Sequence, residues 1–251
     1  MRVCLVGHGA MGHVIENKLI EKGHTISGII SLGEIEDIND VKEEFDVIID
    51  FSHPSNLDML LDYVTKTKKP IVIATTGFSE EQKNAIFKAS EVAPIVYTAN
   101  FSLGITVMEE VLRNITPILE KSFDIEVIEK HHNKKIDAPS GTAKMLVEAI
   151  NGDHRYEVVE GRSGVCKRGK EIGVSAIRGG TIVGEHSVIY AGEDEILEIK
   201  HEAFSKNIFA NGAIVAAEYL TDKPAGLSVG DAQLFTQDIG LRTLAGAGGA
   251  Q

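Results

Sequence analysis

The first part of the chain alternates between short apolar runs and segments of helical period. Arg2–Val6 is an apolar run ending at Gly7, which predicts a buried strand. From 11 to 22 the apolar positions Met11, Val14, Ile15, Leu19 and Ile20 predict a helix, stopped by Gly23. Thr25–Ile30, Asp46–Phe51, Pro70–Thr75 and Pro94–Ala99 read as further strands, with helices beginning near Ser55 and covering 79–90. Short buried strands separated by helices predict a parallel sheet covered on both faces.

Past this point the pattern changes. Residues 103–121 predict a long helix, bent or broken at Pro117, because proline removes an N–H and its ring collides with the preceding turn. Phe123, Ile125, Val127, Glu129 and His131 share one parity and predict a strand over 123–132. A helix is expected from Gly141, then strands over 172–178, 182–191 and 195–202 joined by hairpin-type connections, since no helical period separates them. The polar, Gly-rich stretch 151–171 predicts a mobile excursion, 205–220 a last helix, and 245–251 a frayed tail.

Composition acts mainly by exclusion. The chain has 251 residues, 43% hydrophobic and 25% charged, which suits one large soluble domain or two small ones. Its formal charge of −12 argues against nucleic-acid partners and against electrostatic attachment to an anionic membrane. An anionic substrate would therefore need a local cationic pocket. The two cysteines, Cys4 in an apolar run and Cys166 among Gly, Lys and Arg, form neither a disulfide framework nor a metal cage, and fit a cytoplasmic protein. No apolar stretch approaches the ~20 residues of a membrane-spanning helix. The first strand runs straight into a glycine turn, so no signal peptide is expected.

Two segments carry chemistry. Gly7-His8-Gly9-Ala10-Met11-Gly12 fits G-x-G-x-x-G directly after a strand and at the start of a helix. In that context Gly7 permits the tight turn, Gly9 lets backbone approach a pyrophosphate, and Gly12 lets helix and strand pack closely. The helix start offers free N–H groups to phosphate. These residues, with His8 by position, predict dinucleotide binding. The residue expected to meet the adenosine ribose, at the end of the second strand, is Ser31 rather than an acid. Glu34, Glu36 and Asp37 follow it, and no Lys or Arg lies between Ser31 and Asn39, which leans the cofactor toward NADH with NADPH accepted.

The second segment is Lys130-His131-His132-Asn133-Lys134-Lys135, the densest basic run in this acidic chain. Asp137-Ala138-Pro139-Ser140-Gly141-Thr142-Ala143 follows, with Ser140 as a helix N-cap and the N–H groups of Gly141 and Thr142 free. Together they read as a receptor for a small carboxylate-bearing molecule. Adjacent histidines on a strand point to opposite faces, so zinc is not expected. His186 and His201, on strands, read as structural.

The run from Glu129 to Ala143 closely resembles the signature of the dihydrodipicolinate reductase family. The glycine turn with Met11, Ala74-Thr75-Thr76-Gly77, Thr98-Ala99-Asn100-Phe101-Ser102, Arg178–His186 and Phe209–Ala213 resemble other segments of that family. The resemblance implies NADH- or NADPH-dependent reduction of 4-hydroxy-tetrahydrodipicolinate in diaminopimelate and lysine biosynthesis. It implies His131 and Lys135 as catalytic residues, and His132, Ser140, Gly141 and Thr142 as contacts for the dicarboxylate substrate. Cofactor contacts would come from the glycine turn, Ser31, Ala74, Thr75, Thr76, Thr98, Ala99, Asn100 and Phe101. It also implies an α/β fold with a Rossmann-like dinucleotide-binding domain, residues 1–102 with 206–251. Residues 103–205 would form an α+β substrate and oligomerisation domain with an open mixed sheet, assembling as a homotetramer. From Gly226 onward the chain lacks a clear match to the family's closing segment.

Overall fold

The computed structural model describes residues 1–228. The tail expected to fray, 245–251, lies outside them. The chain divides into two compact units: Met1–His8, Leu19–Thr98 and Ala213 onward in the first, Gly9–Lys18 and Ala99–Gly212 in the second.

In chain order the elements begin with β1 (Arg2–Val6), α1 (Ala10–Glu21), β2 (Thr25–Ile30), β3 (Val47–Asp50), α2 (Leu57–Thr67), β4 (Ile71–Ile73), α3 (Glu80–Ser90) and β5 (Pro94–Tyr97). With β11 (Gly226–Ser228), the strands form a six-stranded parallel sheet in the order β11-β5-β4-β3-β1-β2. Its inner strands have no water-facing side, which is why β3 and β4 are apolar almost throughout. Cys4, Val6, Ile48, Ile71, Ile73 and Ile95 pack with Leu57, Leu60, Leu61 and Val64 of α2 and Ile86 of α3. Each such fully buried aliphatic side chain contributes roughly 1.5–3 kcal/mol. Helix α3 starts at a capping box, in which Ser79 and Gln82 each accept the other's backbone N–H. The strand order reverses between β1 and β3, the kind of crevice where open parallel sheets bind ligands.

The second unit is built from α4 (Leu103–Leu119), β6 (Asp124–His131), α5 (Gly141–Asn151), β7 (Glu157–Glu160), β8 (Glu171–Arg178), β9 (Gly184–Ala191) and β10 (Ile196–Ala203). Helix α6 (Asn207–Leu220) follows. The sheet order is β10-β9-β6-β8-β7; β6 is parallel to β8 and antiparallel to β9. Ile125, Val127, Ile172, Val174, Val188 and Tyr190 form one apolar face, packed against Ile105, Met108 and Leu112 of α4 and Leu146 and Ile150 of α5.

Three expectations need correcting. Helix α4 is not broken at Pro117 but continues to Leu119; the proline lies in the last turn, so the hydrogen bond it forfeits is near a helix end. The excursion 151–171 contains a regular element, β7, which pairs in parallel with β8. Its alternation is too short and polar to register as a strand. Finally, β8 and β9 do not form a hairpin. The earlier strand β6 lies between them, and loop 179–183 crosses its end, with Gly179 N–H on the His131 carbonyl at 2.9 Å and Asn133 N–H on Gly180 at 3.2 Å. Only β9 and β10 pair as the hairpin that the spacing suggests.

Candidate active site

The glycine turn has the geometry a dinucleotide needs. Gly7 has φ +93°, and a Cβ there would sit 2.3 Å from the Phe51 carbonyl oxygen, so only glycine fits. A Cβ at Gly9 would meet nothing within 4 Å, leaving that backbone open to a ligand. Gly9 and Ala10 are exposed and Gly12 is buried. The residues present therefore fit a pyrophosphate cradle at a helix start. At the end of β2, Ser31 donates its hydroxyl to the Glu34 carboxylate at 3.2 Å, and Gly33 N–H binds Glu36 at 3.0 Å. The loop after β4 holds Ala74, Thr75 and Thr76; Thr76 is exposed, whereas Thr75 is buried and accepts the Ser52 N–H at 2.9 Å. Thr98 is buried at the end of β5.

In the second unit His131 ends β6, and its ring sits in a tightly determined place. Its Nδ1 is 2.6 Å from Glu129 Oε2. Glu129 is fully buried and also receives both terminal nitrogens of Arg178, at 2.7 and 2.6 Å, and the Ser140 N–H at 3.0 Å. Burial pushes the Glu129 carboxyl up, but the bonds from Arg178, His131 and Ser140 outweigh it and hold it below the ordinary range. A carboxylate on Nδ1 fixes the imidazole's orientation and leaves Nε2 for chemistry. Gly184, at the start of β9, makes room: a Cβ there would lie 3.2 Å from His131 Nε2.

His131 and Thr142 line one cavity of about 70 Å³, together with Asn100, Ser102, His186, His201, Lys206 and Phe209. Asn100 donates its side-chain amide to the Thr142 hydroxyl at 2.9 Å, so an expected cofactor residue and an expected substrate residue meet. Helix α5 begins at Gly141; the Ala143 N–H goes to Ser140 Oγ and the Lys144 N–H to the Ser140 carbonyl. That leaves the Gly141 and Thr142 N–H groups as the donors a ligand can take, and Gly141 is open on its side-chain side.

Other expected residues lie apart from this lining. Lys135 makes an ion pair with Asp137 at 2.8 Å. His132 is half-buried, with no partner for its Nδ1 among the described residues. Ser140 is buried and spends its hydroxyl on the helix cap and on His186 Nε2 at 3.0 Å, which leaves it a local structural task. Ala99 is exposed and Phe101 buried.

His186 and His201, read from sequence as structural, both line the cavity. The rings of His131 and His186 meet edge to face at 5.2 Å. Burial, with His131 second, pulls the His186 imidazole down to about 4, and burial likewise lowers His201. At neutral pH His186 is an uncharged dipole, and Lys206 is the one lysine in the lining among the described residues. Glu129 and His186 lie at the edges of the family-like runs but carried no assigned role, and His201 and Lys206 carried no local motif. The parity shared by Glu129 and His131, read with the pairing of Glu129 to His186 across β6 and β9, could have found part of the set.

Family models for the N-terminus and C-terminus of dihydrodipicolinate reductase match residues 1–101 and 104–232. The chain belongs to the dihydrodipicolinate reductase family. The C-terminal match runs to residue 232, past Gly226, beyond which no clear match to the family's closing segment was expected. The chain is 45% identical over 247 residues to 4-hydroxy-tetrahydrodipicolinate reductase of Exiguobacterium sibiricum, covering 95% of this chain and 98% of that one. It is 44% identical over 240 residues to the enzyme of Clostridium tetani, covering 90% and 94%. The fold matches a dipicolinate-bound dihydrodipicolinate reductase from Paenisporosarcina with a TM-score of 0.74 at 19% identity, covering 91% of this chain and 97% of that one. An amine dehydrogenase from Mycobacterium smegmatis shares the fold more loosely, at a TM-score of 0.60 and 12% identity over 91% of this chain and 94% of that one. This reductase is thus an NAD(P)H-dependent oxidoreductase of diaminopimelate and lysine biosynthesis, reducing 4-hydroxy-tetrahydrodipicolinate to tetrahydrodipicolinate. Among the described residues no helix is long and apolar enough to cross a membrane.

Proposed function

We propose that His131 and Lys135 supply the proton for this reduction, and that the start of α5 holds the substrate's carboxylates. The observation that carries the reading is the shared cavity of His131 and Thr142, with the His131 ring fixed by Glu129. The nicotinamide cofactor, when bound, supplies the hydride. The reaction adds one hydride and one proton across a ring double bond and releases the 4-hydroxyl as water. His131, oriented by Glu129, presents Nε2 as the acid beside the carbon that takes the proton. Lys135, held by Asp137, adds a second proton-bearing cation. The Gly141 and Thr142 N–H groups and the Thr142 hydroxyl take one carboxylate, while His132 and Lys206 offer partners for the other. The direct test follows loss of reduced-nicotinamide absorbance with the synthase product supplied; no turnover would overturn the reading.

Pyridine-2,6-dicarboxylate, planar and carrying both carboxylates, should inhibit competitively with substrate. Thr142→Val and His132→Ala should weaken it, and added salt should weaken it further, because charge pairing contributes. Inhibition competitive only with cofactor would contradict this placement.

The cofactor is read as NADH with NADPH accepted. In support, Ser31 turns its hydroxyl to Glu34, so the ribose end carries a carboxylate that suits a diol and repels a 2′-phosphate. Comparing kcat/KM for both cofactors, Ser31→Asp should favour NADH and Ser31→Arg NADPH. A wild-type preference for NADPH above about tenfold, worth about 1.4 kcal/mol, would refute the reading.

The enzyme is further read as a cytoplasmic homotetramer assembled through the second unit's sheet, whose helix-free face carries Ile128, Ile177, Ile189 and Ile196. Ile177 and Ile196 are exposed. Val188, Leu197 and Ile199 share the helix side by register, so the proposed assembly surface rests on the four isoleucines. Light scattering should return four times the monomer mass, and a monomer at micromolar concentration would disprove it.

A further inference from the structure

The proton chemistry leaves one buried carboxylate of the first unit unused. Asp50 ends β3, is 1% exposed, and lies beside the end of β1 at the point where the strand order reverses. Its Oδ1 accepts the Ser52 N–H at 3.1 Å and the Ser52 hydroxyl at 2.5 Å, and the Thr75 hydroxyl also bonds to it. Ser52 N–H reaches Thr75 as well, Asn56 donates to Ser52 Oγ at 3.0 Å, and Gln82 donates to the Pro54 carbonyl at 3.0 Å. These bonds tie the loop after β3 to the loop after β4. The first of these loops, at Phe51 and Ser52, is the backbone against which Gly7 packs; the second carries Ala74, Thr75 and Thr76.

We propose that Asp50 is a positioning residue for the dinucleotide: its carboxylate clamps the loops after β3 and β4 so that the Gly7 turn and the 74–77 loop keep the shape that binds NAD(P)H. The inference rests on the reading of those two loops as cofactor contacts. Its support is an apparent cost. The groups facing Asp50 are the Ser52 and Thr75 hydroxyls and the Ser52 N–H, and among the described residues no neighbouring charge compensates it. Burial pushes its carboxyl up to about 6, with those bonds opposing the rise. A carboxyl whose folded-state value is raised favours the fold when neutral, so its ionised form costs stability as pH rises through 4 to 6. Packing alone would be served better by an uncharged residue. The ionised form, in contrast, can accept all three donors at once and hold both loops.

The test measures the Kd for NADH by fluorescence from pH 8 down to 5, in wild type and Asp50→Asn, with kcat and melting temperature alongside. Wild type should bind NADH, more weakly as pH falls through about 6. Asp50→Asn should raise Kd at pH 8 about tenfold, as expected for a lost charge-assisted bond. It should flatten the pH profile, leave kcat at saturating cofactor within about threefold, and not lower the melting temperature at pH 8. An unchanged Kd, or a variant that keeps the wild-type pH profile, overturns the proposal. If Asp50→Asn fails to fold, Ser52→Ala decides in its place, since it removes the hydroxyl bond to Asp50 and the Asn56 bond that shape the loop after β3 and should raise Kd while retaining kcat. Failure of wild type to bind NADH at any pH would instead refute the cofactor reading on which this inference rests.

Discussion

His131→Ala should lower kcat by about 10²–10⁴-fold, the range for losing a positioned acid, with NAD(P)H binding nearly unchanged. The expectation follows from geometry: Nδ1 is committed to Glu129 at 2.6 Å, and the ring borders the cavity shared with Thr142. Lys135→Ala should act in the same direction, because Lys135 carries the second transferable proton near the same loop. Single-turnover rates and a separate NADH titration check the split between chemistry and binding. Near-normal kcat in both variants would remove the pair from the proton step.

Glu129→Ala should be the most damaging single change to the second unit. It would leave the Arg178 guanidinium and the His131 ring without their shared partner and the Ser140 N–H without its acceptor. Breaking a buried pair from one side costs about 3–5 kcal/mol, which urea denaturation would read. Glu129→Gln keeps the shape and should lose less stability, but kcat should still fall, because a neutral amide no longer stabilises an imidazolium at His131. The pH dependence has a definite sign. The Glu129 carboxyl is held below its ordinary value, so its contribution is complete above the ordinary carboxylate range and disappears as pH falls through the folded-state value. The stability difference between wild type and Glu129→Gln should therefore shrink on acidification. A difference that grows toward low pH would contradict the ion-pair assignment.

Much of this molecule could be read before any coordinates. Inner parallel strands have no polar face, so β1, β3, β4 and β5 stand out as apolar runs, and the glycine turn announces itself because only glycine satisfies a positive φ against the Phe51 carbonyl. The basic run and the Ser140 cap were equally legible, since both depend on neighbours in sequence. The hairpin expected between β8 and β9 failed because strand order is a property of the whole sheet. β6 carries the matching apolar parity and occupies the place between them.

The sequence by itself determined the dinucleotide turn and the His–Lys run, each encoded over a few contiguous residues, and the fold class and family, which local patterns repeated along the chain carry. Only the tertiary structure decided which side chains share a cavity. His186, His201 and Lys206 join His131 from β9, β10 and the segment before α6, and Arg178 of β8 reaches Glu129, the carboxylate that orients the His131 ring. Asp50, Ser52 and Thr75 likewise meet only because β3 and β4 end side by side. Hydrogen bonds and burial act over a few ångströms in space, and that proximity is set by strand pairing rather than by spacing along the chain.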